Sequence, residues 1–269
     1  MSALIAEQIS IKRKDRKVLS FDGFWESSLT DSASKGLPDI EIVSLDSRLE
    51  TINQISYVTS KPLIVDGDTG GDVNQFEYMV QKFEDAGVAM IIIEDKVFPK
   101  RNSLTDSVHT LEDKLIFAEK IKRGIAMRKN PNLLIIARLE GLIANHSMEE
   151  TLERAKTFLK VGADGIMIHS KKDNPKEILK FASLYKKLPK NLTKGKVLVC
   201  VPTTYNKITA KNLAKHGFNI IIYANHLLRS SYKAMEKACK TILLKDRSFE
   251  AESLCVPLED LFKTVELKK

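Results

Sequence analysis

The chain has 269 residues, 43% hydrophobic and 29% charged, with a formal net charge of +8. That length buries a large core, and the composition is that of an ordinary globular protein, which excludes a disordered, collagen-like or low-complexity chain. No apolar run approaches the length of a bilayer span, and the lysines are dispersed over predicted helices rather than gathered into a basic arm, so neither a membrane nor a nucleic acid is expected as a partner. A small anionic substrate is compatible with the same charge. Cys200, Cys239 and Cys255 are odd in number and widely spaced, which argues against a disulfide framework or zinc pairing. The N-terminal stretch has no secretory signal, so a cytoplasmic, reducing location is expected.

Along the chain, short apolar runs alternate with helical patterns. Strands are expected at 18–25, 40–45, 63–66, 88–94, 133–138, 165–169, 197–201 and 220–223. Between them, 74–86 carries Phe76, Met79, Val80 and Phe83 at helical spacing, and 111–127 carries Leu115, Ala118, Ile121 and Ile125. Ser147 with Glu150 has capping-box spacing, Asn174-Pro175 opens another helix, and Gly87, Gly162 and Gly217 stand where helices turn back into strands. Eight such units point to an α/β fold, a (β/α)8 TIM-type barrel, rather than an open dinucleotide-binding sheet, for which no GxGxxG is present. One domain is expected over 1–269, with the barrel at about 18–229 and a helical extension at about 230–269, where Pro257 opens a last helix running to about Val265.

In a parallel barrel the strands' carboxyl ends form one mouth. These ends present Trp25 with Ser27, Asp66 and Asp68, Glu94 and Asp95, Arg138 and Glu140, His169 and Ser170, Pro202 and Thr203, and Asn225 and His226. Asp66 and Asp68 leave the strand on the same side; with Glu94 they make an oxygen-rich anionic site suited to Mg²⁺, while Asp68 alone also fits an Asx-turn. Arg138 offers a fork for carboxylate or phosphate, or a buried ion pair with Glu140 or Glu94. His169 can meet a phosphoryl oxygen or be structural. No HxxxH pattern and no Gly-x-Ser-x-Gly elbow supports zinc or serine hydrolysis.

With these residues in place, the sequence resembles the phosphoenolpyruvate mutases of the isocitrate lyase superfamily, through FWESSLTDSASKGLPD, VDGDTG, EDKVFPKRNSL, ARLE, GADGIMIHSKK, VPTTYN and YANHLLR. The resemblance implies an isomerase that interconverts phosphoenolpyruvate and 3-phosphonopyruvate, the first step toward phosphonates. Asp66 is then expected to approach Mg²⁺ directly, with Asp68 and Glu94 acting through metal-bound water. Trp25, Ser27, Ser28, Leu29 and Ser103 would contact substrate, and Ser27, Arg138, His169 and Asn102 would surround the phosphoryl group. Lys100 belongs to the closing loop, and Asp39 matches a catalytically important aspartate. The resemblance also implies a homo-oligomer, usually a tetramer, that exchanges its terminal helix between subunits, and a downstream phosphonopyruvate decarboxylase. Phosphonopyruvate hydrolase, or a lyase or hydrolase acting on an oxaloacetate-like acid, is the alternative. The superfamily's lyases carry a cysteine in the loop that reads PKRNS here, and the phosphonopyruvate hydrolases depart from the mutases at Asn102. Ser28 stands where relatives often have glycine.

Overall fold

The computed structural model describes residues 1–266, which fall into two compact units; residues 267–269 of the expected extension lie outside the described residues. In chain order the strands are β1 (Ile11–Lys12), β2 (Val18–Leu19), β3 (Phe24–Glu26), β4 (Leu63–Asp66), β5 (Met90–Glu94), β6 (Leu134–Leu139), β7 (Gly165–Ile168), β8 (Val197–Cys200) and β9 (Ile220–Ile221).

The larger unit, residues 23–54 and 61–224, contains one parallel sheet in the order β3-β4-β5-β6-β7-β8-β9. Parallel neighbours require crossovers, and the helices Val73–Asp85, Lys114–Met127, Met148–Lys160, Lys176–Tyr185 and Ala210–Lys215 supply them. Both faces of the sheet are therefore covered. Met90 and Ile92 of β5 join Ile136, Met167, Val199 and Ile222 in the inner cluster, with Trp25 packed against it. Ile91 and Ile93, on the opposite face by the period of two, are equally buried. The unbroken apolar run before Glu94 follows from this double burial, and Ile92→Ala would cost about 2–5 kcal/mol.

The helices begin where local chemistry satisfies their first amides. Asp72 accepts from the backbone of Asn74 and Gln75 while the Gln75 side chain accepts from the Asp72 amide, a complete capping box. Ser147 caps the helix Met148–Lys160 by accepting from Glu150 N at 3.0 Å. Gly87 closes the helix Val73–Asp85 with φ 75°, which lets Val88 N reach back to Phe83 O at 3.0 Å.

The fold is of the α/β TIM type, as the alternation predicts, but with two differences in its strands. The expected strand at 40–45 does not form: Glu41 has φ 62°, Ile42 is half exposed, and Leu45 already opens the helix Leu45–Val58. The Glu41 carboxylate instead accepts from Thr69 N at 3.0 Å and Thr69 Oγ1 at 2.7 Å, so this segment serves as a loop buttress. The expected strand at 18–25 divides in two. Val18 and Leu19 are exposed and pair antiparallel with Lys12 and Ile11, while Phe24–Glu26 alone enters the parallel sheet. Seven strands thus carry the sheet among the described residues.

The smaller unit, residues 1–22, 55–60 and 225–269, holds the helix Ser2–Gln8, the β1-β2 hairpin, the helix His226–Lys245, a 3-10 turn at Phe249–Leu254 and the helix Leu258–Val265. Pro257 stands at the N-cap of the last helix, one residue before the expected first position, and Gln8 Nε2 donates to Thr264 O at 3.1 Å. Among the described residues no helix is long and apolar enough to cross a membrane.

Candidate active site

The carboxyl ends of β3 to β7 carry a dense group of buried polar and charged side chains: Glu26, Ser28, Asp66, Asp68, Glu94, Arg138, Glu140 and His169 are all nearly inaccessible. The turn after β4 is tight because Gly67 lies against β5. A Cβ there would meet Ile93 Cγ2 at 2.9 Å, so VDGDTG needs glycine at this point. Asp68 follows with φ 53°, and its amide approaches Asp66 Oδ1 at 3.3 Å.

One half of the site is acidic. Ser28 Oγ donates to Asp66 Oδ2 at 3.0 Å. Lys100, from the segment after β5, donates to Ser28 Oγ at 2.8 Å and pairs with Asp68 Oδ1 at 2.7 Å and Asp39 Oδ1 at 3.1 Å. Asn102 Nδ2 donates to the other Asp39 oxygen at 2.5 Å, and the Lys100 amide approaches Glu41 Oε2 at 3.3 Å. Arg48, fully buried on the helix Leu45–Val58, closes the group from behind: Nη1 donates to Asp66 O and Nη2 to Asp68 Oδ2 at 2.7 Å. Burial pushes the Asp68 carboxyl up, but Lys100 and Arg48 beside it win and bring it down to about 2. Burial opposes the charge on Lys100, yet Asp68, Glu94, Asp66 and Asp39 hold its pKa well above the usual lysine range.

The other half is organised around Arg138, opposite Glu94 in the β5-β6 register. Its Nε donates to Glu140 Oε1 at 2.6 Å and its Nη2 to Ser103 Oγ at 3.0 Å, with Glu94 Oε2 at 3.3 Å. His169 Nδ1 lies 2.8 Å from Glu140 Oε1 and 2.9 Å from Arg138 Nη2. Lys96 Nζ reaches Ser103 Oγ at 2.6 Å, Glu140 Oε2 at 3.1 Å and Glu94 Oε1 at 3.3 Å. Burial raises the Glu94 carboxyl to about 7 against the pull of Arg138, Lys96 and Lys100. It also lowers the His169 pKa, so the resting ring is neutral near neutral pH. The halves meet where Arg138 Nη1 stands 4.0 Å from Asp66 Oδ2.

Most expected site residues therefore meet at one rim. Ser28, Asp39, Asp66, Asp68, Lys100 and Asn102 join in the acidic half, and Glu94, Ser103, Arg138 and His169 in the other. Ser27 is buried at the N-cap of the helix Ser28–Ser34, and Leu29 is half-buried in its first turn. Trp25, also half-buried, packs on the inner apolar cluster. Two strand-end residues serve the scaffold instead: Asp95 accepts from Glu140 N at 2.8 Å and Arg154 Nε at 2.6 Å, and Ser170 bonds Glu177. Arg48 and Glu26 are not singled out by the sequence, because a helical arginine reads as solvated until the fold shows its burial; Lys96, part of the EDKVFPKRNSL segment, is buried within the site. The buried ion pair between Arg138 and Glu140, one of the pairings the sequence allows, is present.

Among the described residues, no three His, Cys, Asp or Glu side chains converge as a ready metal cage. Both oxygens of Glu94 and one each of Asp68 and Asp39 are buried with ion-pair contacts to Lys96, Arg138 or Lys100 but no hydrogen-bond partner. An all-oxygen set with spare acceptors fits a hard cation that keeps its waters, as Mg²⁺ does.

Residues 1–243 match the family described as phosphoenolpyruvate phosphomutase. The chain belongs to that family. A solved phosphoenolpyruvate phosphomutase from Streptomyces platensis subsp. rosaceus is 36% identical, covers 91% of this chain and 83% of its own, and superposes with a TM-score of 0.85. The phosphonopyruvate hydrolase of Variovorax sp. (strain Pal2) is 39% identical over 221 residues, 81% of this chain and 73% of that protein. A phosphonopyruvate hydrolase structure in complex with oxalate and Mg²⁺ is 32% identical, covers 98% and 86% of the two chains, and has a TM-score of 0.83. The family is thus one of enzymes, with mutase and hydrolase relatives at comparable distance.

Proposed function

We propose that the protein is a phosphoenolpyruvate mutase, interconverting phosphoenolpyruvate and 3-phosphonopyruvate. The observation that carries this reading is the return of the EDKVFPKRNSL segment onto the rim, where Lys100, Asn102 and Ser103 all engage site residues. Asn102, the position that separates mutase from hydrolase loops by resemblance, is among them. The lyases' cysteine has no counterpart in this segment, and the free cysteines are Cys200, Cys239 and Cys255.

In the reaction the oxygen to phosphorus bond of phosphoenolpyruvate breaks and a bond from phosphorus to carbon 3 forms, so the step is an isomerisation with no net gain or loss of atoms. Asp66, with Asp68 and Glu94 through water, would hold Mg²⁺, which when bound supplies positive charge to the enolate oxygen. The Ser28 and Leu29 amides open a helix N-terminus and suit the substrate carboxylate. Arg138 and His169 face the phosphoryl group, whose transfer is loose and depends on positioning and on donors for the equatorial oxygens. Asn102 and Lys100 close over it and exclude water, which would otherwise capture the phosphoryl group and give pyruvate and phosphate. Both Asp39 oxygens are engaged by Lys100 and Asn102, which supports direct transfer over a phospho-Asp39 intermediate. We further read the protein as a homo-oligomer, because the helix His226–Lys245 buries none of its residues and exposes Leu227, Met235, Leu243 and Leu244.

Phosphorus NMR of the protein with phosphonopyruvate and Mg²⁺ tests the assignment. A phosphoenolpyruvate resonance is expected. Inorganic phosphate with pyruvate would instead establish the hydrolase reading, which the 39% identity to the Variovorax enzyme favours.

A further inference from the structure

Glu140 is wholly inaccessible and four donors converge on its carboxylate. Oε1 faces Arg138 Nε at 2.6 Å and His169 Nδ1 at 2.8 Å; Oε2 faces Ser103 Oγ at 2.5 Å and Lys96 Nζ at 3.1 Å. Its own backbone amide is fixed by Asp95, which Arg154 holds in turn. We infer that Glu140 is a positioning residue: it fixes the orientation of Arg138 and the tautomer of His169, and ties both to the segment carrying Ser103.

The tautomer follows from the competition at His169 Nδ1, which lies between Glu140 Oε1 and Arg138 Nη2 and can serve only one of them. Nη2 already donates to Ser103 Oγ at 3.0 Å and forms an ion pair with Glu94 Oε2 at 3.3 Å. A bare Nδ1 would set its lone pair against a carboxylate oxygen at 2.8 Å. The proton therefore sits on Nδ1 and is donated to Glu140, leaving the lone pair on Nε2, since a carboxylate bonded to one ring nitrogen sets the state of the other. Arg138 is constrained by the same oxygen: with Nε and Nη2 committed, the guanidinium plane is fixed and Nη1 remains for an incoming anion.

Glutamine at this position makes a sharp test, because its amide nitrogen must face either Lys96 and Ser103 or Arg138 and His169. Lys96 and Arg138 are donors only, and Ser103 Oγ already accepts from both of them, so His169 is the group left to accept, by moving its proton to Nε2. The geometry stands on its own, while its effect on turnover rests on the proposed reaction, so the two are read separately. In ¹⁵N-histidine NMR of the resting protein at about pH 8, with the signal assigned by its loss in His169→Gln, the wild type is expected to show Nδ1–H and Glu140→Gln to show Nε2–H. Turnover of Glu140→Gln should fall about 10- to 100-fold through kcat, with KM changed by less than about threefold, the range seen for outer partners of catalytic groups. A wild-type ring protonated on Nε2, or the same tautomer in both proteins, would overturn the inference. The wild-type spectrum decides even if the variant does not fold. A protein found by phosphorus NMR to be a hydrolase would refute the reaction and leave the tautomer result standing.

Discussion

The two halves of the rim solve the same electrostatic problem in opposite ways. In the acidic half, Asp39, Asp66 and Asp68 are neutralised by Lys100, a residue brought in by the loop, and by Arg48 from behind. In the other half, the cationic donors of Arg138 and Lys96 are gathered by Glu140, a carboxylate built into the end of the sheet. One half is completed by a side chain of the EDKVFPKRNSL segment and the other is centred on a strand-end carboxylate. The difference matches what each would meet in the reaction. A hydrated cation must enter among the carboxylates and can displace an ammonium, whereas donors for phosphoryl oxygens gain from being rigid before substrate arrives.

The rigid half is where substitution should cost most. Arg138→Lys keeps a positive charge but loses the planar fork that reaches Glu140, Ser103 and Glu94 together. Turnover should fall by about 10²- to 10³-fold, the usual effect of removing a preorganised donor. Full activity in that variant would mean that charge alone suffices, and the contrast between the halves would lose its basis. In the acidic half, Asn102→Ala removes the donor that holds Asp39 at 2.5 Å. Mutase turnover should fall about tenfold while the share of pyruvate and phosphate rises, because the loop closes less completely. Phosphorus NMR measures both products at once, and an unchanged product ratio would argue that the loop does not exclude water.

The sequence announces the sheet and the rim more clearly than the partners behind them. Continuous apolar runs such as the one ending at Glu94 can be read because they are buried on two faces, and the strand-end residues Asp66, Glu94, Arg138 and His169 meet as a parallel arrangement requires. The run at 40–45 looks equally strand-like, yet Glu41 takes a left-handed conformation and its carboxylate buttresses Thr69. Tertiary bonding overrides local preference there. Arg48 lies outside any motif, and its role depends on the helix Leu45–Val58 packing behind the VDGDTG turn, which no local pattern encodes. Glu94 and Asp95 are neighbours of the same type, but the alternation of a strand sends one to the rim and the other to Arg154.

Lys100 sharpens the comparison through the cation itself. If its ammonium stands in among the carboxylates until Mg²⁺ enters, then Lys100→Met should bind Mg²⁺ more tightly in the absence of substrate, by about tenfold or 1.4 kcal/mol. Calorimetric titration of the resting protein reads this directly. The same variant should turn over more slowly, since the loop loses its anchors at Ser28, Asp39 and Asp68. Weaker Mg²⁺ binding would show that Lys100 assists the cation rather than competing with it.

The smallest effect concerns Glu26, a carboxyl at the end of β3 whose two oxygens are buried without hydrogen-bond partners, with Arg48 Nη1 at 3.8 Å. Burial, only partly offset by Arg48, raises its pKa from 4.5 to about 8. The folded protein then holds this proton more tightly than the unfolded chain does. The stabilisation is fully present below about pH 4.5 and is lost progressively as the pH rises toward 8. Asp68 runs the other way: its carboxyl, depressed to about 2, contributes above pH 3.8 and fades only as the pH falls toward 2. The two windows do not overlap, so they can be separated. Glu94, raised to about 7, adds to the slope on the alkaline side and is common to wild type and variant. Thermal unfolding in EDTA between pH 5 and pH 8 should show a falling Tm for the wild type and a shallower fall for Glu26→Gln. The variant should gain about 2–4 °C at pH 8 for each kcal/mol of charged-state penalty removed. Parallel slopes would mean that Glu26 is ionised in the folded protein at pH 8 at no cost, with Arg48 serving it as fully as it serves Asp68.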